Sequence, residues 1–371
     1  MGQSATFYYR GEVVTFSDMT SRERVLAVIQ RKEPDRIPTF EWDIDPGLID
    51  EMTAGGSYED FIERFDLDAI MCAPDYLKKP VGNGYLFDEW GVTRIVGHEA
   101  YAMPADRLAP IKSMADLEHW EPPDPYAPGR FDTMKARIQR YKGRRAIFVQ
   151  LRDVWSNPRD LMGYEELLVK CLTEPELVAT LVEKCIDQSI ALVEIAAELG
   201  VEIVMSGDDI ADNQRTLISP KVWTRIFLPH FRRWVQAIHD CGLYYWKHTD
   251  GNITAVLASM VDAGIDGIDP IDPIAGMDLA AIKRDWGSRI AIKGNVDCAE
   301  LLTNGIEADV VEAVKDCIRT AGPGGGYACS SSNSIHSGVK PELYAAMVRT
   351  IREYGTYPLD MDKLAPERKN I

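Results

Sequence analysis

The sharpest chemical feature of the sequence is His248-Thr249-Asp250-Gly251. In a strand, residues i and i+2 point to the same side, so His248 and Asp250 share a face if the chain is extended there. An imidazole that titrates near neutrality, beside a carboxylate, suits metal ligation or general acid–base work. The other role open to Asp250 is to cap the next helix and orient His248. Asp208-Asp209 follows the apolar run 203–205. Adjacent carboxylates on a strand point to opposite sides, one toward a pocket and the other toward backbone or an arginine such as Arg215. Carboxylates in unlike environments can hold different protonation states. The third feature is Glu41-Trp42-Asp43-Ile44-Asp45, whose three acids share a face until Pro46 ends the run.

Elements of a particular kind must position these groups. Short apolar, β-rich runs occur at 37–42, 69–73, 146–151, 202–205, 243–246, 265–269, 289–292 and 326–329. Long amphipathic stretches lie at 175–199, 220–241, 253–263, 309–321 and 341–354. Strand–helix alternation over the whole length predicts a parallel sheet with helices outside it. Eight strands predict a single α/β domain, a (β/α)8 TIM barrel, with its functional groups at the strand C-terminal ends. The alternative is a doubly wound sheet, which carries a Gly-rich turn after its first strand; residues 40–46 are acidic instead.

Residues 1–19 read as an N-terminal extension with a short hairpin (7–10 and 13–16), 20–357 as the barrel, and 358–371 as a polar, loosely held tail. An insertion at about 82–129, after the second strand, reads as a β-hairpin followed by the Pro-rich connection 121–129. Thr20 or Ser21 is placed to cap the first helix, with Glu23 in its first turn.

On this scheme the expected catalytic groups are His248, Asp250, Asp208 and Glu41. Trp42, Asp43, Trp155, Asp209, Asn295, Asn333 and His336 are expected to bind substrate. His248 is the expected metal ligand, with Glu41, Asp250 or Cys329. Gly322-Pro323-Gly324-Gly325-Gly326 precedes a strand instead of opening a helix, so it reads as a turn and not a phosphate cradle. The run Cys329 to Ser332 lacks a nucleophile elbow.

Composition narrows the function further. The 371 residues include 41 basic and 58 acidic ones, a formal charge of −17. Phosphate contacts need a basic face, so neither nucleic acid nor an anionic membrane is an expected partner. No run of 18 apolar residues occurs, and residues 1–20 have no apolar secretory core. Seven scattered cysteines with no C-x-x-C read as reduced thiols of a cytoplasmic protein. The charge does not bear on a homodimer, which stays open.

Four separated blocks carry a family resemblance. They are TSRERVLAVIQRKEPDRIPTFEW, SGDDIADNQRTLISPKVWTRIFLPHFRRW, KHTDGNITAVLASMVDAGIDGIDPIDPIAGMDLAAIKRDWGSRIAIKGNVD and GPGGGYACSSSNSIHSGVKPELYAAMV. In this order they resemble the uroporphyrinogen decarboxylase superfamily, over about residues 20–354. The resemblance implies a (β/α)8 barrel. True uroporphyrinogen decarboxylases carry an arginine-rich motif after the first strand. This chain has Glu41, Asp43 and Asp45 there, which would repel a highly anionic tetrapyrrole by several kcal/mol, in order of magnitude, if desolvated.

The superfamily's other branch contains corrinoid-dependent methyltransferases. Its coenzyme M enzymes hold zinc through H-x-C and a later cysteine. The matching positions here are His248, Asp250 and Asn333, with Cys329 close by. His248 with carboxylates suits zinc or a harder metal. Members with H-x-D-G resemble the methyltransferases of O-demethylase systems. The resemblance thus implies methyl transfer from a methoxylated aromatic, a small-molecule donor, to cobalt. No D-x-H-x-x-G corrinoid motif is present, so the corrinoid (cobalamin) is expected on a partner corrinoid protein or loosely bound. Trp42 or Trp155 would stack on the aromatic ring. The alternatives are a decarboxylase of a small or cyclic carboxylate, gripped by Arg152, Lys247 or Lys293, and a corrinoid-binding protein without catalysis.

Overall fold

The computed structural model describes residues 5–9, 12–16, 19–96 and 103–366. Its strands are β1 (Ala5–Tyr9), β2 (Glu12–Phe16), β3 (Ala69–Cys72), β4 (Lys78–Gly82), β5 (Tyr85–Asp88), β6 (Thr93–Ile95) and β7 (Met103–Pro104). They continue with β8 (Ala146–Leu151), β9 (Ile203–Gly207), β10 (Tyr244–His248), β11 (Gly267–Asp269), β12 (Ala291–Lys293) and β13 (Tyr327–Ala328). β3 and β8 to β13 belong to a seven-stranded parallel sheet that follows chain order, a TIM-barrel-like α/β topology. No helix among the described residues is long and apolar enough to cross a membrane.

The chain divides into two compact units, residues 71–140 with 147–277, and residues 1–70 with 141–146 and 278–371. In the first of these, β8, β9, β10 and β11 pair in parallel, each with the next. Every residue of β9 and β11 is buried, as expected of parallel strands covered on both faces. Helices Pro175–Leu199, Leu228–Asp240 and Thr254–Ala263 make the crossovers. Gly200 and Gly264 end two of them in the left-handed region, at φ 96° and 101°, which glycine enters without Cβ strain.

The insertion is larger than a hairpin. β4 to β7 form a four-stranded antiparallel sheet. Asn83 and Gly84, both at positive φ, make the tight β4–β5 turn. The Asp88 carboxylate accepts from the Trp90 and Val92 amides and from Arg94, which fixes the next turn. That side-chain bracing is not visible as a turn motif in the sequence.

In the other unit, helix Ser21–Ile29 starts with the expected capping box between Thr20 and Glu23. β1 and β2 pair antiparallel, and β12 pairs with β13. The expected strand at 37–42 is extended chain without a regular ladder. Pro38 has no N–H to give, which breaks the pattern. The segment still bonds on both sides: the Cys329 amide donates to the Pro38 carbonyl at 3.0 Å, and the Asp68 amide to the Thr39 carbonyl at 2.8 Å. The tail is held more firmly than its polarity suggests. Leu364 is fully buried, and its carbonyl accepts from Arg319.

Gly267 links the sheet to the chemistry. It sits opposite Trp246 on β10, and a Cβ there would lie 2.5 Å from Cε3 of that indole. Gly267→Ala should therefore destabilise the protein by about 1–3 kcal/mol through overpacking. A urea-denaturation midpoint equal to the parent's would show that the indole moves aside without loss.

Candidate functional site

Alternation along β10 builds the site. Tyr245 and Lys247 point one way and Trp246 and His248 the other, as period two requires. On the second face, two donors converge on one carboxylate. Trp246 Nε1 donates to Asp269 Oδ1 at 2.8 Å, and His248 Nδ1 lies 2.9 Å from Asp269 Oδ2. Asp269 ends β11 beside His248, in direct register with it. An ionised carboxylate only accepts, so Nδ1 carries a proton and Nε2 is the ring's ligand atom in the neutral form. Nε2 lies 3.7 Å from Asp250 Oδ1.

Asp209 completes this group. Its Oδ1 accepts from the Asp250 amide at 3.0 Å. Ligand atoms of Asp209, His248 and Asp250 all lie within 4.8 Å of one another. His248 is buried and the two acids are half-buried. Burial alone would lower the His248 pKa, but the carboxylates of Asp269 and Asp250 outweigh it, and the imidazole holds its proton above the ordinary value.

The first face of β10 serves a second carboxylate. Asp153 Oδ2 accepts from Lys247 Nζ at 2.7 Å, Ser206 Oγ at 2.7 Å and the Tyr245 hydroxyl at 2.9 Å. Lys247 also donates to the Asp208 carbonyl at 2.8 Å. The Asp208 carboxylate accepts from the amides of Asp153 at 2.8 Å and Trp155 at 3.3 Å. One buried ammonium thus bonds one buried carboxylate and the backbone carbonyl of a second. Burial, then the Asp208 charge, pushes Asp153 up to about 7 against the pull of Lys247. Burial works the same way on Asp208, but a hydrogen bond with Asp153 and the cations Lys247 and Arg152 hold it below the usual carboxylate range. Asp208, expected to be catalytic from its position, braces the loop after β8 through the Asp153 and Trp155 amides.

The remaining expected residues have definite places. Trp155 is fully buried against Phe227, with ring centroids 5.4 Å apart. In the unit that contains 278–371, Glu41 is buried and its Oε2 lies 2.5 Å from the Ser331 hydroxyl. Trp42 and Asp43 are half-buried, and Asp43 Oδ1 accepts from the Ile44 amide at 2.9 Å. Asn295 Oδ1 lies 3.5 Å from Cys317 Sγ. Asn333 Oδ1 accepts from the Ser334 amide at 2.5 Å. His336 Nδ1 accepts from the Gly338 amide while Nε2 faces the Cys298 carbonyl, so this exposed ring ties two loops. Burial pushes the Cys329 thiol well above its ordinary value.

Asp153 and Asp269 stand at the ends of the apolar runs 146–151 and 265–269, and sequence reasoning gave them no roles. The signal that could have found them is the string Tyr244-Tyr245-Trp246-Lys247-His248. Four consecutive buried side chains with N–H, O–H or ammonium donors need acceptors on both sides of one strand.

The fold and these strand-end groups define a barrel-type α/β protein of an enzyme superfamily. The family model for uroporphyrinogen decarboxylase matches residues 61–354, and the chain belongs to that family. Among its relatives is a uroporphyrinogen decarboxylase of Pseudoalteromonas atlantica, 21% identical over 79% of this chain and 80% of that protein. Another is the methylcobamide:CoM methyltransferase MtbA of Methanosarcina acetivorans, 29% identical over 38% of this chain and 40% of that protein. A solved methyltransferase from Methanosarcina mazei shares the fold, with a TM-score of 0.71 at 17% identity, over 91% of this chain and 99% of that one.

The Asp269 clamp has a pH signature. Because the folded imidazole pKa is raised, the His248–Asp269 pair contributes fully below the unfolded-state value of about 6.5 and fades as pH rises through the folded value. In the metal-stripped protein, Asp269→Asn should lower the imidazole pKa, read by NMR of the ring. It should also remove stability mainly on the acid side of that window. An unchanged His248 titration would assign its proton to Asp250 and Asp209 instead.

Proposed function

We propose that this protein moves a methyl group from a methoxylated aromatic to the cobalt of a reduced corrinoid, held by a partner protein or bound loosely. The observation that carries the reading is the Asp209, His248 and Asp250 group, oriented by Asp269. Membership of a family with a corrinoid methyltransferase among its relatives supports it.

In that reaction the C–O bond of the methyl ether breaks with its electron pair left on oxygen. The methyl carbon bonds to cobalt through the cobalt(I) electron pair, and the oxygen becomes a phenol by taking a proton. His248 supplies this proton from Nε2, because its pKa is raised and Asp269 fixes the ring. Asp208 stays ionised and holds the strand-end loops.

The same three side chains fit a divalent cation. One imidazole and two carboxylates with ligand atoms within 4.8 Å suit zinc or a harder ion. Such an ion would supply Lewis acidity to the leaving oxygen in place of the proton. Asp269 would then act as the outer carboxylate that orients the histidine ligand.

A second reading, decarboxylation of a carboxylate substrate, draws on the names of full-length relatives such as the Pseudoalteromonas protein. The half-exposed Arg152, at the end of β8, is the cation such a substrate would need.

Anaerobic incubation with cobalt(I) cobalamin and a panel of methoxylated aromatics should give methylcobalamin, followed by absorbance. His248→Gln should slow the reaction by about 10²–10⁴-fold while circular dichroism stays at the parent's. A blank across the panel, with the cobalamin verified as reduced, would sink methyl transfer from these donors. Release of CO2 from a carboxylated panel would then establish the second reading.

A further inference from the structure

Lys247 takes no part in the reaction proposed above, yet it is among the most enclosed charges in its unit. Its side chain is 1% exposed, as is that of Asp153. A lysine is rarely buried this deeply without a specific use. Here the ammonium joins two strand ends, bonding Asp153 Oδ2 after β8 at 2.7 Å and the Asp208 carbonyl after β9 at 2.8 Å. The Asp208 carboxylate closes the loop by accepting from the Asp153 amide at 2.8 Å. Asp208 is thereby held through its backbone carbonyl and through its side chain. The next residue is Asp209, whose Oδ1 accepts from the Asp250 amide at 3.0 Å. His248, the next residue after Lys247 on β10, points to the opposite face, toward Asp269.

We infer that Lys247 is a positioning residue for the cation site: by tying Asp153 to the Asp208 backbone, it sets Asp209 at ligand distance from His248 and Asp250. The inference rests on reading those three residues as a cation site. A single rigid strand then fixes one ligand directly, as His248, and a second at one remove, through Lys247. A carboxylate on a loop gains ligand quality only if its backbone is prevented from drifting, and outer contacts of this kind change metal affinity by about 10–100-fold.

The test uses the metal-stripped full chain and Co2+ alone. Removing Lys247 by itself would leave the buried Asp153 carboxylate without the ammonium it bonds, so the informative variant is the double substitution Asp153→Asn with Lys247→Met. It removes the ammonium together with the carboxylate that it bonds, so neither is left buried without the other, and it removes the tether. Expected is a folded protein that binds Co2+ about 10–100-fold more weakly than the parent, with an altered visible d–d spectrum. Amide hydrogen exchange should quicken at 207–210 and stay unchanged on helix Pro175–Leu199. Parent-like affinity and spectrum in the double variant would overturn the inference. If the parent itself binds no Co2+, the cation reading falls, and the exchange data decide whether Lys247 holds the 207–210 segment. Parent-like exchange there would overturn the tether as well.

Discussion

The site depends on β10 remaining a regular strand with both faces buried. Period-two alternation sends Tyr245 and Lys247 to Asp153, and Trp246 and His248 to Asp269. Each carboxylate receives its donors from residues i and i+2 of the same strand. A one-residue slip of register would exchange the two faces, giving Asp269 an ammonium and a phenol and Asp153 an imidazole and an indole. Parallel pairing on both sides, to β9 and to β11, excludes that slip. Backbone register is therefore also the register of the chemistry.

Charge distribution explains why the two faces differ in behaviour. Asp269 meets an imidazole and an indole, and this arrangement raises the imidazole's proton affinity while leaving Nε2 directed at Asp250. Asp153 meets an ammonium that must also serve Asp208. Removing one member of such a buried set costs about 3–5 kcal/mol, because the remaining charge loses its partner. The first face is rigid for that reason. The second can change protonation or accept a cation without dismantling the strand ends. Two nearby pairs of the same residue classes thus divide into a fixed brace and a responsive group, through burial and partner count alone.

Much of the fold was legible because strand–helix alternation is a long-range pattern that single residues do not disturb. Seven of the eight apolar runs became strands of the parallel sheet within a few residues of their expected bounds. The eighth, at 37–42, lost its ladder at Pro38, which a reading based on apolar content passes over. The insertion was undercounted because its turns are stabilised by Asp88 and not by turn dipeptides alone. In the site, His248 and Asp250 were legible from their spacing. Asp209 was singled out as an expected binding residue, but its grouping with them was not legible, because it follows a different strand. Asp153 and Asp269 stayed without roles, and Lys247 was read only as a cation for a carboxylate substrate, for a related reason. A carboxylate's role is set by which donors reach it across the sheet, and sequence spacing does not reveal that.

The donor set also bears on the kind of leaving group the proposed reaction would serve. Thiolate ligands put soft, electron-rich sulfur around a metal and suit the activation of another thiol. Carboxylates with one imidazole make a harder set that leaves a bound cation more acidic toward oxygen. An ether oxygen that departs as phenolate needs its developing charge neutralised, by such an ion or by a proton from a raised imidazole. Asp250 and Asp209 serve both routes: each raises the proton affinity of His248, and each offers oxygen to a cation. The route taken would then depend on cation availability, and not on any rearrangement of the strand ends that hold the three residues.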